Sequence, residues 1–367
     1  MLLKEKNLDN NPKGFNDILN KVKNKEDFFI KTFIANCSTN QNVLYIHIPF
    51  CTSKCKYCNC GSKQKSNDEE VNKFIKYVLI EQIERYKEVF DQVIFDQVYF
   101  GGGTPTIIDA KTLEDLFNLI PNFAQIKIKC IESSPHTLTC EHIDLFKKYD
   151  FNFLSVGIQS IDEKICLKYN RQGLSKNEFL TLSSNLKESN LYFNYDIICF
   201  LDKGDIRDLV KFKNDLIFIM KYANPSCITI HQLYQSNYSI DKTRLLIDTI
   251  KECLQIAPEY KCVNSLLKSD DALLDCMYQA EYKLSKENFN FKHYMWNKYA
   301  SIPVFGYNIL SIGYTEKFNT VSNIGNIALY CGKNELKYIT FDENLIKMSK
   351  LINASMEQGV EINDIKN

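Results

Sequence analysis

Four cysteines in one short stretch are the side chains of this sequence best suited to binding a metal: Cys51, Cys55, Cys58 and Cys60. Three and then two residues separate the first three, so one short loop can place three thiolates around a compact iron–sulfur cube. One iron of that cube would have no cysteine ligand. An open iron can bind a small molecule and pass an electron to it, so the spacing predicts a reactive cluster.

A zinc site is the alternative for four close cysteines. Zinc usually takes its ligands as two separated pairs, and no second pair of cysteine or histidine follows in register. Cys60 is the additional thiol, and it either replaces a ligand or lies beside the cluster or the substrate.

Polar and glycine residues stand where predicted strands end. Gly101-Gly102-Gly103-Thr104 follows an apolar run, and glycines let the backbone approach a ligand and leave amides free to bind its carboxylate. Glu132 ends the next run and could accept hydrogen bonds from an ammonium or ribose group. A plain tight turn and a surface glutamate are the structural alternatives.

Three more polar residues follow in later elements. Gln159 closes Val-Gly-Ile-Gln-Ser, and Arg171 stands in Tyr-Asn-Arg-Gln. Asp196 lies inside the apolar run Tyr-Asp-Ile-Ile-Cys-Phe, where burial of a bare charge is costly and predicts a partner.

The elements that must position these residues alternate between short β-rich runs and longer amphipathic runs such as 70–90. The predicted strands are 43–48, 97–100, 126–132, 152–157, 192–200 and 227–233. Near-continuous apolar strands separated by helices favour an α/β fold with a parallel sheet covered by helices. Six units are too few for an eight-stranded barrel, so we predict a partial, open barrel with its chemistry at the carboxyl ends of the strands.

The segments before and after this region of alternating strands and helices have different sequence patterns. Residues 1–40 carry Phe15, Ile18, Leu19 and Val22 at helical spacing and are predicted as a helical lead-in. The barrel is predicted to occupy 41–236. Residues 237–367 are predicted as a mainly helical extension on the substrate side.

Within that extension, helices are predicted at 241–254 and 270–284. An aromatic-rich segment follows at 289–314, with Trp296 near its centre. These aromatics predict either a small core or a lid that stacks on a flat substrate.

Composition narrows the function classes. Lysine plus arginine equals aspartate plus glutamate at 45 each, so no overall field attracts nucleic acid or an anionic membrane. The charged start Met-Leu-Leu-Lys-Glu-Lys-Asn lacks the apolar run of a signal peptide, and no stretch approaches about 18 apolar residues. Most of the 14 cysteines stand in apolar segments of a long chain, which indicates free thiols in a reducing, cytoplasmic compartment.

The motifs are informative as a set, because their order and spacing along the chain can be compared with those of known families. They are Tyr45-x-His-Ile-Pro-Phe-Cys51, Tyr57, Gly101-Gly-Gly-Thr-Pro-Thr106, Glu132, Gly157-Ile-Gln159-Ser, Asn170-Arg171 and Tyr195-Asp196. Together they resemble the radical S-adenosylmethionine (SAM) superfamily, in the branch typified by oxygen-independent coproporphyrinogen III oxidase. That branch also contains heme chaperones and class C radical SAM methyltransferases. The resemblance is strong over 43–235, with a weaker echo at 309–313.

The resemblance implies a partial (β/α)6 radical SAM barrel in which Cys51, Cys55 and Cys58 hold a [4Fe-4S] cluster that chelates SAM. It implies SAM contacts for Tyr45, Gly102, Glu132 and Asp196. In the coproporphyrinogen oxidases a second SAM lies beside the first. Its contacts would map to Tyr57, Gly103, Thr104, Gln159 and Arg171.

The departures from the branch lie on the substrate side. The Gly-Leu-Pro turn that commonly follows the strand aspartate is here Cys-Phe-Leu-Asp-Lys-Gly at 199–204, and the chaperone segment His-Asn-x-x-Tyr-Trp is replaced by His-Tyr-Met-Trp-Asn at 293–297. A glycine-alanine-rich turn is replaced by Ile-Gly-Tyr-Thr-Glu at 312–316. Porphyrin specificity is therefore left open.

The resemblance implies an oxidoreductase that cleaves SAM reductively to a 5'-deoxyadenosyl radical and abstracts hydrogen from a small organic substrate, with a tetrapyrrole as candidate. A flavodoxin or ferredoxin is the implied electron donor. A class C methyltransferase and a heme-binding chaperone on the same scaffold are the alternatives. The sequence names neither the substrate, the reductant, the oligomeric state nor the role of Cys60.

Overall fold

Six parallel strands form the centre of the sheet, and each coincides with an apolar run of the sequence. They are β1 (Gln41–Ile48), β2 (Gln97–Gly102), β3 (Ile128–Ser133), β4 (Phe153–Gln159), β5 (Tyr192–Cys199) and β6 (Cys227–Gln232). Each pairs in parallel with the next in chain order. The predicted six β-α units are confirmed, and the carboxyl ends of all six strands share one edge.

The computed structural model describes only part of the chain. The described residues are 21, 23–58, 60–199, 206–232, 240–262, 281–286, 306–314, 320–324, 327–331, 336–340 and 343. The predicted lead-in positions 15–22 (apart from 21), the departures at 200–204 and 293–297, and the aromatic segment up to 305 lie outside the described residues.

Helices precede, connect and follow the strands. They are α1 (Lys25–Ala35), α2 (Asp68–Phe74), α3 (Ile80–Arg85), α4 (Lys87–Gln92), α5 (Ala110–Leu119), α6 (Cys140–Lys148), α7 (Glu163–Lys168), α8 (Lys176–Glu188), α9 (Ile206–Phe218) and α10 (Ile240–Ile256). Polar caps fix their starts: Asp109 accepts from the backbone of Thr112, and Ser175 forms a capping box with Glu178.

The predicted helix 70–90 is divided. A π-helical stretch, Ile75–Leu79, joins α2 to α3, and Tyr86, buried and with non-helical dihedrals, separates α3 from α4. The apolar spacing identified the buried face, but it carries no information about such local interruptions.

The prediction of a mainly helical extension is wrong for the described residues after 236. They contain α10, as predicted, and six strands: β7 (Lys261–Cys262), β8 (Glu281–Ser285), β9 (Tyr307–Ile312), β10 (Thr320–Ile324), β11 (Ile327–Cys331) and β12 (Leu336–Thr340). The predicted helix 270–284 is wrong at 281–284, because β8 pairs antiparallel with the edge of β6. The dipeptide Gly-Asn at 325–326 separates the paired strands β10 and β11, and it is a hairpin signal that helical spacing overlooks.

Strand β9 continues the sheet on the other side of β1. The strand order is β12-β11-β10-β9-β1-β2-β3-β4-β5-β6-β8-β7. β9 runs parallel to β1, with Tyr45 opposite Ser311. The end of β9 therefore lies at the same edge as the cysteine-bearing loop.

One face of the central strands packs against the helices. Leu44, Ile46 and Ile48 of β1 belong to the main hydrophobic cluster, so the alternation of a strand turns Tyr45 and His47 to the opposite, interior face. Rings of Phe100 and Phe117, 5.2 Å apart between centroids, show how closely the helix side is packed. Among the described residues, no helix is long and apolar enough to cross a membrane.

Candidate functional site

The cysteine loop (residues 51–58) follows β1 after Pro49 and Phe50. At its start, Phe50–Cys51 forms a short parallel pair with Lys63–Gln64. Cys51, Cys55 and Cys58 are all partly exposed reduced thiols. Each sulfur has a polar neighbour from elsewhere in the chain: Thr104 Oγ1 donates to Cys51 Sγ at 3.4 Å, Arg171 Nη1 to Cys55 Sγ at 3.6 Å, and Ser62 Oγ lies 3.4 Å from Cys58 Sγ.

This set of sulfurs and donors fits an iron–sulfur cluster. Hydrogen bonding from Cys60 lowers the pKa of Cys58 to about 4, which favours the thiolate that binds metal. The amide of Cys60 also donates to Cys58 Sγ at 3.5 Å, so Cys60 lies directly beside Cys58. Burial raises the pKa of Cys51.

A single-metal site is not supported by this geometry. In the part of the chain that the structure describes, no three side chains of His, Cys, Asp or Glu converge closely enough to hold one ion. A cubane does not require such convergence, because each of its thiolates binds a different iron. The cysteine loop therefore suits a cluster better than the zinc alternative.

Gly101 and Gly102 end β2 and Gly103 follows it, and the prediction of free amides is wrong for Gly103 and Thr104. A Cβ on Gly102, whose φ is +107°, would lie 2.6 Å from His47 Nδ1. A Cβ on Gly103 would lie 2.4 Å from the Phe50 carbonyl oxygen. The Gly103 amide donates to Ile48 O at 2.7 Å and the Thr104 amide to Phe50 O at 2.8 Å. These glycines hold the strand that leads into Cys51, and the two amides are already used.

Interior side chains of β1, β2 and β3 form a continuous polar and aromatic wall. The Tyr45 hydroxyl lies 3.1 Å from His47 Nδ1, and the Tyr45 ring stacks on Tyr99 with centroids 6.1 Å apart. Tyr99 donates to Glu132 Oε1 at 2.7 Å. Burial first, and then the carboxylates of Glu132 and Asp196, raise the pKa of Tyr99. Tyr99 therefore orients Glu132, one of the two carboxylates predicted to face SAM.

His47 and Tyr314 extend this wall towards β9, and neither was among the predicted site residues. Their rings stack at 4.3 Å and 16°, and burial lowers the pKa of His47 to about 4, so its imidazole is neutral at pH 7. Gln82 fixes the turn, because it accepts from the Gly313 amide at 2.6 Å and donates to Tyr314 O at 3.1 Å. The alternation of Tyr45 and His47 along β1 was the signal that could have identified His47.

Asp196 has the partners that its burial required. Ser155 Oγ donates to its Oδ2 at 2.7 Å, and Asn194 Nδ2 donates to its Oδ1 at 2.9 Å. His231 Nε2 lies 3.4 Å from the same Oδ1. Thr229 orients Asn194 through a 2.9 Å hydrogen bond to its amide oxygen. His231 and Asn194 were missed, although both stand at the interior-facing parity of their strands.

Gln159 and Arg171 meet near the cysteine loop. Gln159 has a left-handed φ of +67° where the register between β4 and β5 shifts. Arg171 donates through Nη2 to Gly157 O and through Nη1 to Cys55 Sγ. The Tyr57 ring lies 5.8 Å from Tyr169, two residues before Arg171. Among the described residues, no carboxylate forms an ion pair with Arg171.

The predicted residues therefore form three neighbourhoods at one sheet edge. Cys51 lies with Thr104, Cys55 lies with Arg171, and Glu132 lies with Tyr99, two strands from Asp196 in the same sheet.

Comparison with known proteins gives one family. Residues 45–216 match the family model described as the radical SAM superfamily, and this region contains every predicted cluster and SAM residue.

Relatives carry two different names. The heme chaperone HemW of Buchnera aphidicola subsp. Schizaphis graminum is 28% identical over 193 residues, which are 52% of this chain and 50% of the relative. A second HemW, from Buchnera aphidicola subsp. Acyrthosiphon pisum, is matched over 69% of this chain and 66% of its own length. Oxygen-independent coproporphyrinogen III oxidase of Helicobacter pylori strain J99 is 26% identical over 324 residues, 82% of this chain and 69% of that one. The chain thus spans about half to two thirds of the length of these relatives.

A solved structure has the same fold. The coproporphyrinogen III oxidase HemN from Escherichia coli superposes with a TM-score of 0.68, covering 96% of this chain and 86% of that chain at 17% identity.

Proposed function

We propose that this chain, whose residues 45–216 match the radical SAM superfamily model, is a radical SAM enzyme that cleaves SAM reductively and uses the product radical to abstract hydrogen from an organic substrate, as an oxidoreductase like coproporphyrinogen III oxidase. The superfamily is characterised by a [4Fe-4S] cluster and SAM. The single observation that carries the proposal is the meeting, on the carboxyl-terminal side of one sheet, of three thiols with polar neighbours and two carboxylates held by hydrogen bonds, Glu132 and Asp196.

We assign the cluster to Cys51, Cys55 and Cys58. When bound, it supplies the electron that converts SAM to methionine and a 5'-deoxyadenosyl radical. The chain itself positions the reactants. Thr104, Ser62 and Arg171 offer hydrogen bonds to the three sulfurs, and such bonds stabilise charge on cluster ligands.

We assign SAM to the interior wall, against Tyr45, Gly102, Glu132 and Asp196. Glu132 is oriented by Tyr99, and Asp196 by Ser155 and Asn194. Oriented carboxylates of this kind accept hydrogen bonds from the ammonium or ribose of a nucleoside ligand without reorganisation when it binds. A second SAM against Tyr57, Gly103, Thr104, Gln159 and Arg171 is a further proposal that binding stoichiometry decides.

A heme chaperone is the second candidate function, since two of the relatives carry that name. The stack of Tyr314 on His47 gives both functions an aromatic surface at the site. Production of S-adenosylhomocysteine would instead favour the methyltransferase alternative.

The test is anaerobic reconstitution with iron and sulfide, followed by SAM, dithionite and coproporphyrinogen III, with mass spectrometry of the adenosyl and porphyrin products. We expect 5'-deoxyadenosine and a decarboxylated porphyrinogen from the wild type and from Cys140→Ala, a control at an exposed cysteine outside the loop. Cys55→Ala should give neither product. Stoichiometric heme binding without porphyrinogen turnover would favour the chaperone, and wild-type protein that forms no 5'-deoxyadenosine would overturn the proposal.

A further inference from the structure

The turn between α7 and α8 lies directly against the cysteine loop, although more than a hundred residues separate the two in sequence. We call residues 168–171 the clamp turn. Four hydrogen bonds join the segments: Lys56 N to Tyr169 O at 3.0 Å, Lys56 Nζ to Lys168 O at 2.9 Å, Asn170 Nδ2 to Lys54 O at 2.9 Å, and Ser53 Oγ to Asn170 O at 3.2 Å. Three of these four bonds use a backbone carbonyl of the clamp turn as acceptor, so they depend on its conformation and only weakly on its side chains.

Asn170 combines two properties that the clamp turn needs. Its φ is +56°, in the left-handed region that asparagine tolerates better than most residues. This conformation turns its own carbonyl to Ser53, while its side-chain amide reaches back to Lys54 O. Glycine would adopt the same backbone but would lose the side-chain bond.

Arg171 completes the contact at the sulfur. Its backbone amide donates to Cys166 O at 2.9 Å, which ties it to α7, and its two terminal nitrogens donate to Cys55 Sγ and Gly157 O. A Cβ on Gly157 would lie 2.7 Å from Nε2 of Gln159 and 3.1 Å from Nη2 of Arg171, so the glycine in β4 leaves room for both the amide and the guanidinium. Both terminal nitrogens are engaged without a ligand, but each carries a second N–H, so the guanidinium can keep these two acceptors and still donate to a carboxylate.

We propose that the clamp turn holds the cysteine loop in its cluster-binding conformation before iron arrives, and that Arg171 raises the reduction potential of the cluster by donating a hydrogen bond to the Cys55 thiolate. Donors to cluster sulfurs favour the reduced state because it carries more negative charge. The second part rests on the proposed function, whereas the first concerns the protein without its cluster.

The first experiment uses the apoprotein and measures hydrogen exchange at the amide of Lys56. Asn170→Gly keeps the left-handed backbone and removes the bond to Lys54 O. We expect exchange about tenfold faster, which corresponds to the loss of one hydrogen bond. Asn190→Gly is the matched control, because Asn190 is exposed, has a φ of +59° and follows α8 away from the loop. Equal exchange in Asn170→Gly and wild type would overturn the preorganisation, whether or not the protein later binds iron.

The second experiment uses reconstituted protein and measures the midpoint potential by titration monitored by electron paramagnetic resonance. Arg171→Met removes the donor and the charge, and we expect a more negative potential, equivalent to about a tenfold change in the reduction equilibrium, or about 59 mV for one electron. Arg171→Lys keeps the charge and should lie between the two, and it substitutes for Arg171→Met if that variant does not fold.

The results of the two experiments distinguish a failure of the proposal about the clamp turn from a failure of the proposed function. A wild-type protein that takes up no iron contradicts the proposed function, and the exchange experiment still tests the clamp. Variants that hold wild-type iron at an unchanged potential contradict the role of Arg171 and leave the proposed function intact.

Discussion

Replacement of Gly103 by alanine should displace the entry to the cysteine loop. The new Cβ would lie 2.4 Å from the oxygen and 2.8 Å from the carbon of the Phe50 carbonyl, and 2.9 Å from Ile48 O. All three are backbone atoms, so no side-chain rotation relieves the clash. The two segments must move apart, which breaks the hydrogen bonds from Gly103 N to Ile48 O and from Thr104 N to Phe50 O.

The size of the effect follows from these contacts. Two lost hydrogen bonds cost about 2 kcal/mol, and overpacking adds about 1–3 kcal/mol. Alanine also lowers the conformational entropy of the unfolded chain, which offsets this destabilisation by about 0.4–1 kcal/mol. We therefore expect Gly103→Ala to lower the free energy of unfolding by about 2–5 kcal/mol. Separation of Thr104 from Cys51 should also reduce the iron bound on reconstitution.

The assay is anaerobic urea unfolding of the apoprotein, together with iron per chain after reconstitution. Gly306→Ala is the control, because Gly306 has no atom within 4 Å of a built Cβ and carries only the strain of its φ of +89°. A Gly103→Ala protein with wild-type stability and wild-type iron would refute the packing explanation.

Four further predictions concern other parts of the site and fold. Glu132→Ala should weaken SAM binding, measured by equilibrium dialysis, with iron content unchanged, and unaltered affinity would contradict the assignment of the interior wall. Cys60→Ala should keep the visible absorbance of the reconstituted cluster that Cys58→Ala loses, because Cys60 acts beside a ligand; loss of absorbance would make Cys60 a ligand instead. Saturation at two SAM per chain would support the second SAM site, and saturation at one, with or without substrate, would remove it. Burial raises the pKa of Asp215 from 3.8 to about 6, so the folded state binds this proton more tightly than the unfolded state and loses stability as pH rises from about 4 to 6. Asp215→Asn should therefore raise the free energy of unfolding by up to about 3 kcal/mol at pH 7 and by little at pH 4. Equal gains at both pH values in urea unfolding would contradict this explanation.

The central strands were predictable because both faces of a parallel sheet are buried, which leaves continuous apolar runs in the sequence. The polar residues inside or at the ends of those runs were predictable for the same reason. Asp196 stands out within an apolar strand, and its burial does require the partners that Ser155 and Asn194 supply. The identity of those partners depends on the register between neighbouring strands, and no local sequence pattern encodes that register.

The glycines after β2 illustrate a different limit. The sequence showed that something approaches the backbone closely at Gly102 and Gly103, because no other residue leaves so much space. It did not show what approaches. The neighbours that a Cβ would meet are the His47 ring and the Phe50 carbonyl, both from the chain itself, and contacts of these glycines with SAM stay a prediction.

The parts that sequence reasoning missed depend on contacts between distant segments. The stretch 281–284 has a spacing compatible with a helix, and only the open edge of β6 makes it a strand. Strand β9 joins β1 across more than two hundred residues. Nothing near 307–312 distinguishes a strand beside β1 from a strand at any other edge.

The position of β9 changes how the departures on the substrate side are understood. The turn Ile-Gly-Tyr-Thr-Glu at 312–316 differs from the glycine-alanine-rich turn of the branch it resembles, and Gly313 and Tyr314 lie at the described end of β9. A Cβ on Gly313 would overlap His47 O, so the glycine is required by packing whatever the substrate is. The Tyr314 ring lies on His47 and near Tyr45 at the surface of the interior wall, so a substitution there would change the shape of the site next to these two residues. This departure falls on the end of β9, whereas the cysteine loop follows β1 and the two carboxylates lie on β3 and β5. The cluster motif can therefore be kept while this side of the site diverges.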